Sequence, residues 1–178
     1  LYHKYHLKSG QHVALFCRNH LVSALLLPAL SRLGVHVRLL NTDLSSEQLA
    51  KLMSRPFAFF IYDEELIQAD DLHAMCPMVS CEALLESIKR QDAIEKVALP
   101  YIKRGGNISV MTGGSSGNYK EAARQTGIVQ FLPPFFSLLR DLHIDSYQSV
   151  LIGLPFYHGF GLATLIISLV MGKKICLL

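Results

Sequence analysis

Six apolar residues in a row, FAFFIY at positions 57–62, constrain this chain more than any other feature. A strand with one wet face alternates apolar and polar side chains. A run without alternation suits a strand buried on both sides, as in a parallel sheet covered by helices. Another strand is expected at HVALFC (12–17), after a turn at Ser9-Gly10, and one with partial alternation at VHVRLL (35–40). Further strands are expected at 108–111, 150–154 and 174–178, with MCPMVSC (75–81) a weaker candidate. Helical stretches lie between them. LVSALLLPALSRL (21–33) ends at Gly34, and Pro28 removes one of its backbone hydrogen bonds and is expected to kink it. Ser45 and Gln48 form a capping box ahead of Leu49, Leu52 and Met53, and that helix stops before Pro56. A third helix opens at Ser80 or Cys81, with Leu84, Leu85 and Ile88 on one side, and a fourth spans 160–171. Strand–helix alternation at this spacing predicts an α/β fold, a mostly parallel sheet flanked by helices.

At 178 residues the chain is long enough for one core, and 51% hydrophobic with 17% charged residues excludes disorder. The net charge is +3 and the basic residues are scattered, so no nucleic-acid partner is expected. The eight histidines show no metal-ligand spacing: His3 and His6 sit in a short tail and the rest look isolated. Cys17, Cys76, Cys81 and Cys176 lack CxxC spacing and read as small buried thiols of a reducing cytoplasm. The start LYHKYHLKSG has no apolar signal core. No transmembrane segment is expected, since 160–171 falls short of the ~20 residues a bilayer needs and reads as a buried helix. The chain enters at Leu1 in mid-pattern and stops within a strand, so it is expected to be a fragment of a longer unit.

The chemistry concentrates after the strand at 108–111. Thr112, Gly113, Gly114, Ser115, Ser116, Gly117 and Lys120 supply three glycines, three hydroxyls and one ammonium. Backbone amides without Cβ hindrance, hydroxyls and a point charge are the parts that hold a phosphate. The spacing fits neither GxxxxGK[ST] nor GxGxxG. Residues 113–117 do fit GxSxG, the serine-hydrolase elbow, and Asp145 and His158 follow in the order a hydrolase needs. Against the elbow, Asn118-Tyr119 continues a loop where a helix is required, and no HGGG-like oxyanion segment precedes it. A hydrolase with Ser115 as nucleophile, a non-catalytic α/β binding module and a plain polar turn are the alternatives.

TGGSSGNYK resembles the phosphate-binding loop of the adenylate-forming superfamily, T-S-G-[ST]-T-G-x-P-K-G, which includes acyl-CoA synthetases. Gly113, Tyr119 and Glu121 depart from that pattern. LPFYHGFGL (154–162) resembles the family's L-P-x-x-H-x-x-G, with His158 and Gly161 on its histidine and glycine, and residues 10–41 resemble its opening strand, Arg-Asn turn and helix. The resemblance implies a partial N-terminal subdomain of an AMP-binding domain over 1–178, part of the large N-terminal domain of such an enzyme. It implies that Thr112 to Gly117 and Lys120 embrace ATP phosphates, and that His158 and Gly161 line an acyl pocket. Implied cofactors are ATP, Mg²⁺ and CoA, and the implied substrate is a small-molecule carboxylic acid, fatty or aromatic rather than an amino acid. The family's adenine, ribose and catalytic-lysine segments have no counterpart before Leu178. The isolated chain is therefore expected to carry no catalytic residue and no turnover, and its metal ligands stay unassigned. Its exposed apolar edges are expected to drive self-association. Phe135, Phe136, Phe156 and Phe160 read as core, and Lys173-Lys174 as a solvated turn.

Overall fold

A computed structural model describes residues 1–54, 56–67, 76–90, 101–112, 120–121, 137 and 140–178. A short helix, α1 (Tyr2–Tyr5), precedes β1 (His12–Phe16), α2 (Leu21–Arg32), β2 (His36–Leu39), α3 (Ser46–Met53) and β3 (Phe59–Tyr62). There follow β4 (Met78–Ser80), α4 (Cys81–Lys89), β5 (Ile108–Thr112) and β6 (Lys120–Glu121). The strands form one sheet in the order β4-β3-β1-β2-β5-β6. Every pairing is parallel except the last. The expected mostly parallel α/β sheet is thus observed, with strand ends shifted by a residue or two.

Topology decides which face each helix covers. The chain moves from β1 to β2, returns across β1 to β3, then from β4 travels back past β2 to β5. Right-handed crossovers put helices of opposite moves on opposite faces. Accordingly α2 and α4 deliver Leu26, Leu27, Leu30, Cys81 and Leu84 to a core shared with Val13, Leu15, Val37 and Ile61. On the other face α3 delivers Leu49, Leu52 and Met53 against Ala14, Phe16, Phe60 and Tyr62. Successive residues of β1 and β3 enter opposite cores, which is why neither strand shows polar alternation.

Helix ends follow local chemistry. The Ser45–Gln48 capping box forms as expected. The Ser80 hydroxyl accepts the Ala83 amide at the start of α4, placing Cys81 as its first residue. Helix α2 runs through Pro28 to Arg32 and ends at Gly34, whose φ of +74° is the left-handed turn glycine permits. Of the expected stripe of α4, Leu84 is buried and Leu85 packs against the core, while Ile88 is exposed.

A second unit follows a single 3₁₀ turn at Ile144–Ser146: β7 (Ser149–Ile152), α5 (Gly159–Val170) and β8 (Lys174–Leu177), with the two strands parallel. Ile152, Leu162 and Leu165 join the core beneath α2. Contrary to expectation, α5 is not a buried helix: Phe160, Ile166, Leu169 and Val170 are exposed. A helix resting on two strands has contacts along one side only. Among the described residues no helix is long and apolar enough to cross a membrane.

Candidate functional site

Neighbouring strands β1 and β3 end together, and from that edge the chain departs to opposite sides of β1. Such a switch point at the carboxyl ends of parallel strands leaves a crevice into which following loops project. Here it is filled by Cys17, Arg18, Asn19 and His20 after β1 and by Asp63 after β3. Buried Asp63 accepts the Arg18 amide on Oδ2 at 2.7 Å, and its Oδ1 lies 2.7 Å from His20 Nε2. The His20 Nδ1 accepts the Ser23 amide at 3.2 Å and caps α2. Behind this pair, Cys17 Sγ and Cys81 Sγ are 3.2 Å apart, and both residues are buried.

These groups tune one another. The hydrogen bond to Asp63 holds the His20 imidazole up at about 10. A doubly protonated ring has no lone pair for the Ser23 amide, so that cap bond belongs to the neutral ring. Burial pushes the Asp63 carboxyl up, yet the His20 bond and the Arg18 amide outweigh it and hold the group below its ordinary range. Burial raises the Cys17 thiol well above the usual value, whereas the hydrogen bond from Cys17 lowers Cys81. The sequence reading of His20 as isolated is corrected at this point, while Cys17 and Cys81 are the small buried thiols expected. His20, Cys17, Asp63 and Cys81 stand together, because strand pairing and two helix starts converge positions 43 to 64 residues apart. Cys76 is half-buried and Cys176 exposed, so only two of the four thiols are core groups; all four are free.

Asn19 ties the second unit to this edge. Its Nδ2 donates to the Leu154 carbonyl at 2.8 Å, and its Oδ1 accepts the Phe156 amide at 2.9 Å. The Thr42 hydroxyl meets the buried Tyr157 hydroxyl at 3.2 Å. His158 caps the N-terminus of α5 in extended backbone, its ring 4.9 Å from that of Tyr157, and it is exposed. It is therefore no core histidine. A Cβ at buried Gly161 would collide with the carbonyl oxygens of Leu154 and Pro155, so close backbone approach requires glycine there. Phe156 is core as expected, while Phe160, at the exposed start of α5, is not. Lys173 is more than a solvated turn: its ammonium donates to the carbonyls of Asp145 and Tyr147.

The flanks of the phosphate motif lie at the same sheet edge. Thr112 ends β5, Lys120 begins β6, and antiparallel register sets the two directly opposite each other. Gly113, Gly114, Ser115, Ser116 and Gly117 lie outside the described residues, as do Phe135 and Phe136. At Lys120, five residues beyond Ser115, the chain is again a strand rather than the helix a hydrolase elbow leads into.

No family model and no curated protein matches the chain. Solved structures do. The o-succinylbenzoate CoA synthetase MenE from Bacillus subtilis, in complex with the acyl-adenylate intermediate OSB-AMP, superposes with a TM-score of 0.73 at 21% identity. That match covers 98% of this chain and 44% of MenE, which has also been solved with ATP and a magnesium ion. VinN matches with a TM-score of 0.78 at 20% identity, covering 99% of this chain and 45% of VinN, and has been solved with L-aspartate. The N-terminal domain of FACL13 from Mycobacterium tuberculosis gives 0.73 at 18% identity, over 99% and 46%. The chain thus spans less than half the length of each of these structures. It has the fold of the N-terminal domain of adenylate-forming enzymes.

Proposed function

We propose that residues 1–178 are a partial N-terminal subdomain of an AMP-binding domain, and that the whole protein is an AMP-forming acid–CoA ligase. The carrying observation is that Thr112 and Lys120 face each other across β5 and β6 at the sheet edge where the second unit is anchored. Thr112, Gly113, Gly114, Ser115, Ser116, Gly117 and Lys120 would hold the β- and γ-phosphates of ATP, their amides, hydroxyls and ammonium neutralising charge as it develops. A substrate carboxylate oxygen then attacks the α-phosphorus, its bond to the bridging oxygen breaks, and pyrophosphate leaves. In the second step the CoA thiol attacks the acyl carbon and AMP departs. Mg²⁺ supplies further neutralisation of the phosphates; its ligands are not assigned to this chain. Exposed His158, with Gly161 fixing the start of its helix, would face the acyl group. The substrate class is a small-molecule carboxylic acid. The free thiols suit the cytoplasm, and the exposed apolar face of α5 favours self-association of the isolated chain.

The decisive assay is ATP–pyrophosphate exchange on the full-length protein with a panel of fatty, aromatic and amino acids. Exchange with one class is expected, and Lys120→Ala should lower it roughly 100-fold, as removal of a preorganised charge-stabilising donor does. Absence of exchange with every acid would overturn the proposal. Labelling of Ser115 by a fluorophosphonate would instead support a hydrolase. The 178-residue chain alone is expected to show no turnover.

A further inference from the structure

We infer that Cys17, His20, Asp63 and Cys81, none of them a residue of the phosphate motif, form a zinc site that locks the switch-point edge of the sheet. Four ligand atoms, two sulfurs, one imidazole nitrogen and one carboxylate oxygen, lie within 4.8 Å of one another. Zinc bonds of about 2.3 Å to sulfur and about 2.0–2.1 Å to nitrogen or oxygen put tetrahedral ligand atoms roughly 3.3–3.8 Å apart. Two of the six edges, 3.2 Å between the sulfurs and 2.7 Å between His20 Nε2 and Asp63 Oδ1, are slightly shorter because each pair shares a proton, and the others, within 4.8 Å, close onto the ion. A cation replaces both shared protons and opens each of these two edges by about half an ångström. Thiolate and imidazole donors select zinc over magnesium or calcium.

The surroundings suit that role. Cys17 and Cys81 belong to the apolar core, and Asp63 is buried beside them. The Arg18 amide fixes the carboxylate of Asp63 from behind through Oδ2, leaving Oδ1 to ligate. A cavity of about 190 Å³ is lined by His20, Leu21, Val22, Cys81, Glu82 and Leu85, two of the four ligand residues among them. On binding, the Cys17 and Cys81 thiols release two protons to solvent, and the neutral His20 ring shifts its single proton from Nε2 to Nδ1 so that Nε2 ligates and Nδ1 gives up the long contact with the Ser23 amide. Two thiolates and one carboxylate leave the zinc centre with one net negative charge. Ligands from the ends of β1 and β3 and the starts of α2 and α4 would be cross-linked at a single point.

Cobalt(II) tests this directly, because a cobalt–thiolate site absorbs in the near ultraviolet whether or not the protein is catalytically active. Titration of the reduced full chain should saturate at one equivalent with a thiolate-to-cobalt charge-transfer band, and zinc should displace it. Cys176→Ser should leave the band intact, whereas Cys17→Ser with Cys81→Ser should abolish it and weaken zinc binding at least about 100-fold. Asp63→Asn provides a second variant should the double one fail to fold: its cobalt spectrum should change while the charge-transfer band survives at weaker affinity. Cobalt bound without a thiolate band, binding retained by the double variant, or no one-equivalent binding to the reduced chain would overturn the site. So would a Cys17–Cys81 disulfide as the only chemistry of the pair. None of these outcomes bears on pyrophosphate exchange.

Discussion

Asn19 occupies a position where one side chain satisfies two backbone groups of a distant segment, the Leu154 carbonyl and the Phe156 amide. Removing it leaves both without that partner at a half-buried junction. Asn19→Ala should therefore cost about 2 kcal/mol, read as a lower urea midpoint with unchanged slope. Gly161 acts at the same junction by being absent as a side chain. Gly161→Ala forces the backbone of α5 away from residues 154–155 and should cost about 1–3 kcal/mol by the same measurement. In the sequence both residues stood out through a family resemblance that implied a turn and an acyl pocket. What they touch was not legible there, because their partners lie 135 and 137 residues away for Asn19 and in backbone atoms for Gly161.

Elements divide by how local their causes are. Helix α3 was legible in full: a capping box opens it, an apolar stripe of Leu49, Leu52 and Met53 faces the sheet, and it ends ahead of Pro56. Ser45→Ala should cost about 1 kcal/mol and Leu52→Ala about 2–5 kcal/mol, both by denaturant unfolding, since the second opens a cavity under Phe16 and Phe60 while the first loosens one exposed turn. Helix α5 was legible as a helix but not in its burial. Its composition is apolar all round, and among the described residues it rests on β7 and β8 along one side, with Phe160 and Val170 in solvent. Strand β4 was the weakest strand expectation, being three residues long, and exists because β3 offers it a ladder at Phe60, Ile61 and Tyr62.

MenE and VinN are each more than twice the length of this chain. Among the described residues the molecule is a sheet whose candidate site groups gather at one edge, and Asn19 ties to it a second βαβ unit with an exposed apolar face. The isolated chain should accordingly self-associate in sedimentation velocity, with the weight-average mass rising with concentration. Phe160→Asp with Val170→Lys should return it to a monomer without lowering its thermal midpoint. A monomer at all concentrations for the unaltered chain would remove this expectation.

By itself the sequence determined the α/β class and the succession of strands and helices. Those depend on hydrophobic period, caps and residue type, which act within a few positions. Strand order did not follow from it, nor did the pairing of Thr112 with Lys120. The convergence of Cys17, His20, Asp63 and Cys81 was equally out of reach. These belong to tertiary structure, because the free energy that brings such positions together comes from burying two apolar faces of one sheet. Spacing along the chain carries no trace of which strand ends will then be neighbours.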